Sequence, residues 1–144
     1  MPMKSAAPLA QWMVQDGHYT RAYLQFLGSL IGKIRLPPAS NSQFHPMYRT
    51  MDLLISAINN IRREMRFFEI TATKYSIHLT DDPPSFITRS YIDLFSSVSA
   101  PGASLLEGLV VLWATEHVRP PSGVCLLANH DRRTAAPGST RSRA

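Results

Sequence analysis

From Tyr19 to Ile34 the apolar residues return at steps of three and four: Tyr19, Ala22, Tyr23, Phe26, Leu27, Leu30, Ile31 and Ile34. That is the period of one face of an α-helix, and a strand would alternate instead. A stripe this long must be covered by other apolar surface, so the chain needs helical partners for it. Asp16 stands one turn before Tyr19 on the same face. A carboxylate among apolar residues is costly unless it is paired or hydrogen-bonded. Two readings stay open for it: an acid kept for chemistry, or one that caps or solvates the first turns of the helix.

The partners are visible further along. The first helix is expected from about Pro8 to Lys33, ended by Pro37-Pro38 and a polar loop through Ser40, Asn41 and Ser42. A second begins near Pro46 and runs towards Tyr75, with Met47, Met51, Leu54, Ile55, Ile58, Ile61, Met65 and Phe68 on its stripe. Asp81-Asp82-Pro83-Pro84-Ser85 breaks the pattern, and Ser85 is placed to cap a third helix carrying Phe86, Ile87, Tyr91, Leu94, Phe95 and Val98. Ala100-Pro101-Gly102 closes it, and a fourth, with Leu105, Leu106, Leu109, Leu112, Trp113 and Glu116, is expected to end near Val118. Four helices without an alternating strand pattern predict an all-α antiparallel bundle over residues 1–118. From Arg119 onward periodicity is lost among prolines, small residues and arginines, and a disordered basic tail over 119–144 is expected.

The net charge of +5 is unevenly spread: five arginines against Asp131 from Arg119 onward leave +4 there and +1 in the rest. Without interleaved aromatics or a recognition motif, that tail does not argue for nucleic acid as a partner. The longest unbroken apolar run, Leu109 to Ala114, is far below the about 20 residues of a membrane helix. Gln11 and Asp16 interrupt any leader-like stretch, so an intracellular, cytoplasmic protein with no membrane partner is expected. A single cysteine, Cys125, excludes an internal disulfide framework and a multi-cysteine metal site.

The candidates for chemistry are therefore few. Asp16 and Glu116 are acids on apolar helix faces, and a carboxylate with a raised pKa beside an ionised one suits acid/base work. Tyr19, Tyr23 and Tyr91 offer hydroxyls and ring faces to a flat ligand, or else simply pack the core with their hydroxyls at its rim. The histidines lack the three-or-four spacing of a helical metal pair, and no Glu-x-x-His occurs, so no metal or cofactor is expected. Cys125 has no evident activating neighbourhood, and no phosphate-cradling glycine loop or serine elbow is present.

Gln11-Trp12-Met13-Val14-Gln15-Asp16-Gly17-His18-Tyr19 resembles the Trp-Leu-x-Gln-Asp-x-x-Tyr signature of the TenA, or thiaminase II, family. Glu64–Glu69 leading to Lys74-Tyr75-Ser76-Ile77, Tyr91–Leu94 and Leu112–Val118 are similar to later segments of that family, the last to its glutamate-type subgroup. The resemblance implies a haem-oxygenase-like bundle without haem that hydrolyses thiamine-derived aminopyrimidines and forms homo-oligomers. By position it makes Asp16 and Glu116 the catalytic acids, with Tyr19 supporting Asp16; Tyr23, Tyr91 and Trp113 complete the expected substrate-binding set. It covers roughly Pro8 to Val118. The cysteine nucleophile of the bacterial type is absent, and so are the family's later helices with a second tyrosine and a late glutamate. The expectation is accordingly an incomplete bundle of weak or no activity, with a non-catalytic binding or dimerisation module as the alternative.

Overall fold

The computed structural model describes residues 6–38 and 44–118. The expected tail over 119–144, with Cys125, lies outside them. Four helices are present, α1 (Ala6–Lys33), α2 (Pro46–Lys74), α3 (Phe86–Ser99) and α4 (Leu105–Val118), with no strand among the described residues. The chain divides into two units, Met1–Leu112 and Trp113–Ala144. The fold is the expected all-α bundle.

Local chemistry explains four of the helix boundaries. Pro46 opens α2 at a position where a backbone N–H is not needed, and His45 Nδ1 accepts the Met47 N–H at 3.2 Å. At the other end of α2, Ile77 N–H reaches Ala72 O (2.9 Å) and Ser76 N–H reaches Thr73 O (3.2 Å). This is a Schellman closure with Ser76 in the left-handed position, at φ 49°. Ser85 caps α3 as expected, its Oγ accepting the Thr88 N–H. Ser104 and Glu107 form a capping box at α4: Glu107 N–H donates to Ser104 Oγ (3.2 Å), and Ser104 N–H donates to the Glu107 carboxylate (2.6 Å).

That box carries a pH dependence. The Ser104 backbone N–H, then its hydroxyl, then the charge of Lys33 hold Glu107 below the ordinary 4.5 of a glutamate. A carboxylate depressed on folding stabilises above its unfolded pKa, and that contribution disappears as pH falls through the folded value. Glu107→Gln, which keeps a box-competent side chain, is expected to flatten the loss of melting temperature below about pH 4.5. An unchanged acid limb would remove Glu107 as a source of it.

Packing is organised around α1, which contacts both α2 and α3. α2 returns antiparallel, bringing Phe68 edge-on to Trp12 at 5.4 Å between centroids. α3 runs parallel to α1: Gln15 and His18 bond to Asp82, Pro83 and Ser85 at its start, while Ser29 and Lys33 bond to Ser99, Ala100 and Ala103 at its end. Lys33 Nζ donates to both the Ala100 and Ala103 carbonyls at 2.6 Å, supplying a cation where the α3 dipole is negative. Tyr19, Tyr23, Phe26, Leu27, Leu30, Leu54, Ile61, Phe95 and Leu112 form the core. Several residues of the expected stripes face outward instead. Ile55, Phe86, Ile87, Leu94 and Leu106 are exposed, because α1 covers only one side of each neighbour.

α4 approaches α1 at Gly108, where an added Cβ would lie 2.1 Å from Leu30 Cδ2. Leu30 is wholly buried and has little room to yield. Gly108→Ala therefore sets a helix-propensity gain of about 1 kcal/mol against an overpacking cost of about 1–3 kcal/mol. We expect a net loss of about 1 kcal/mol in chemical denaturation. Gly28→Ala on the exposed side of α1, with nothing within 4 Å of the new methyl, is expected to gain up to about 1 kcal/mol. Two variants of equal sign would contradict the close crossing.

Candidate functional site

On α1, Asp16, Thr20, Tyr23, Leu27 and Leu30 follow one another at steps of four and three. All but the first are fully buried, and Asp16 is half-buried with its Oδ2 inside the protein. Asp16 thus lies on the face that carries the core, one turn before Tyr19 and one turn after buried Met13. Glu64, which sequence reasoning did not assign to chemistry, occupies the corresponding register on α2. From the Trp12–Phe68 contact, one turn along each antiparallel helix leads to Asp16 and to Glu64. Glu64 also buries an oxygen, Oε2. The only signal available was its spacing from Phe68 and Ile61 on an otherwise apolar face.

From Tyr19, one turn along α1 from Asp16, the structure brings three of the four proposed binding aromatics into one cluster. Tyr19 stacks on Tyr23 (5.8 Å, 14°) and meets Tyr91 edge-on (5.4 Å, 81°). Phe95 lies against all three tyrosines and stacks on Phe26 at 4.9 Å. Tyr19 and Tyr23 are buried core residues whose rings pack against these neighbours. Tyr91 and Asp16, each half-buried, are the members of the set with surface left for a ligand.

Trp113 and Glu116 belong to the Trp113–Ala144 unit, whereas Asp16 and the tyrosines belong to the other. Both are exposed. The Trp113 ring rests on His117 at 4.4 Å, and His117 Nδ1–H donates to the Trp113 carbonyl. Among the described residues no group of three or more His, Cys, Asp or Glu side chains is placed to hold a metal ion. No described helix is long and apolar enough to cross a membrane.

The start of α3 is held by the same turn of α1 that bears Asp16. Gln15 Nε2 donates to Pro83 O at 3.1 Å, its Oε1 accepts the Ser85 N–H at 2.7 Å, and His18 Nε2–H donates to Asp82 O at 2.8 Å. No sequence periodicity could reveal this clamp, because its halves lie 64–70 residues apart.

Comparison with known proteins gives two matches. A protein from Fusarium pseudograminearum (strain CS3096) named "Probable transcription factor" is 44% identical over 106 residues, which is 74% of this chain and 21% of that protein. A protein from Glycine max named "Probable bifunctional TENA-E protein" is 24% identical over 114 residues, 79% of this chain and 47% of that protein. The second is a distant likeness to a TenA-type protein across most of the chain. The chain spans about a fifth and about half the length of these two relatives. No protein-family model matches it, and no solved structure does.

Proposed function

We propose that the chain binds a thiamine-derived aminopyrimidine and belongs to the chemistry of thiamine-pyrimidine salvage as a TenA-like helical domain of the haem-oxygenase-like type. The observation that carries this reading is the half-buried Asp16 carboxylate one turn from the Tyr19–Tyr91 edge contact. The likeness to the TENA-E protein supports it independently of that geometry. An aminopyrimidine presents a ring nitrogen next to an exocyclic amino group, and a carboxylate can accept from both when the ring is protonated. As water adds to the carbon between them the ring nitrogen becomes more basic. Asp16 then stabilises the addition state more than the ground state, the C–N bond breaks, and the amino group leaves as ammonia. Tyr91 flanks the ring. The proton given up by the attacking water leaves with the amino group, and Glu116 stays a candidate acid by family position alone.

A second reading is a non-catalytic binding or dimerisation module. The exposure of Leu106 (71%) and Val110 (56%) on the side of α4 opposite Gly108 favours it, since a helix apolar on both sides ordinarily has cover on both. The name of the Fusarium protein describes a chain of which this one spans a fifth, and nucleic acid is not among the partners we propose. Calorimetric titration with a 4-aminopyrimidine, followed by an ammonia-release assay, tests the two readings. Release supports the hydrolase, binding without release supports the module, and no binding overturns the aminopyrimidine reading.

A further inference from the structure

The Gln15 side chain spends both ends of its amide on one turn of another helix. Its Nε2 donates to Pro83 O, and its Oε1 accepts from Ser85 N–H, the residue that caps α3. An amide of this length can do both at neutral pH, where a carboxylate can only accept. A helix is rigid over a few turns, so fixing the position of Ser85 also fixes Tyr91 and Phe95, six and ten residues later on the same helix. Those are the two α3 residues that meet Tyr19. His18 adds a third bond to Asp82 from the next turn of α1, so the clamp resists sliding as well as separation.

We propose that Gln15 is a positioning residue that sets the register of α3 on α1, and so places Tyr91 against Tyr19, one turn along α1 from Asp16. The proposal rests on the aminopyrimidine reading only for its functional consequence; the placement of Tyr91 stands apart from it. Glutamate has the same length as glutamine. Ionised, it keeps an acceptor for Ser85 N–H, loses the donor to Pro83 O and brings a negative charge next to Asp82. Protonated, it regains an O–H donor alongside a carbonyl acceptor.

The test uses the full chain, with nuclear Overhauser cross-peaks between the rings of Tyr19 and Tyr91 as the positional readout and affinity for a 4-aminopyrimidine as the functional one. In Gln15→Ala the helical circular dichroism is retained, the cross-peaks fall at least about twofold, and affinity falls about tenfold, the equivalent of about 1.4 kcal/mol. In Gln15→Glu the cross-peaks are weak at about pH 7 and recover at about pH 3, below the ordinary glutamate range, a rescue that simple loss of packing cannot produce. Unchanged cross-peaks in Gln15→Ala, or a Gln15→Glu variant indifferent to pH, would overturn the proposal. Absence of pyrimidine binding by the unsubstituted chain removes the functional reading instead, and the ring cross-peaks still decide the placement.

Discussion

Replacing Phe95 by alanine is expected to destabilise the protein by about 3–5 kcal/mol, towards the upper end of the range for a buried aromatic. Phe95 is 1% exposed and is the point where α3 meets the α1 stripe. Its ring lies within 4.9–6.2 Å of the centroids of Tyr19, Tyr23, Phe26 and Tyr91. Each such aromatic pair contributes about 0.5–1.5 kcal/mol beyond the area it buries, so the truncation removes pairings as well as opening a cavity. Against a total of about 5–15 kcal/mol for an ordinary domain, this loss brings the chain close to unfolding. Urea denaturation followed by far-ultraviolet circular dichroism measures it. Phe95→Leu, which leaves much of the volume filled, should recover more than half. A cost below about 1 kcal/mol for the alanine variant would mean that α3 is not docked through this ring.

The second large effect concerns function. Asp16→Asn is expected to lower kcat/KM for an aminopyrimidine by about 10²-fold, or to weaken binding by about 10–100-fold if the chain only binds, as loss of a charge-assisted hydrogen bond does. Asparagine has the same shape, so the melting temperature should stay within a few degrees of the unsubstituted chain. That separation of activity from stability distinguishes an acid kept for chemistry from one that merely solvates a helix end. A variant that loses stability and keeps its ligand would assign Asp16 to the fold.

Helix boundaries were legible because their determinants are local. Pro46 and Ser85 start α2 and α3 where their chemistry requires, and Lys33 ends α1 at the expected residue. α1 is already helical at Ala6, ahead of the expected Pro8, since a proline is tolerated near the start of a helix. The capping box of α4 was readable as Ser104-x-x-Glu107, a signal present within four residues. Depth was less legible. Periodicity places Asp16 and Tyr19 on one face of α1, but their half-buried and buried states depend on α2 and α3. The outward turn of Ile55, Ile87 and Leu94 has the same origin. For the site, the sequence supplied Asp16 and the tyrosines as candidates. The Tyr19–Tyr91 contact joins residues 72 positions apart, and neither it nor the Gln15 clamp leaves a periodic trace.

The parallel course of α1 and α3 has a consequence for the order in which the molecule assembles. An antiparallel pair can zip outward from its connecting loop, each new contact enlarging the closed loop only slightly. The α1–α3 hydrogen bonds allow no such start: whether at Gln15–Pro83 or at Lys33–Ala100, every one encloses nearly 70 residues. Their closure entropy must be met at once, whereas the α1–α2 hairpin can meet its own in instalments. α3 is therefore expected to dock onto a hairpin already formed, settling Tyr91 and Phe95 against Tyr19.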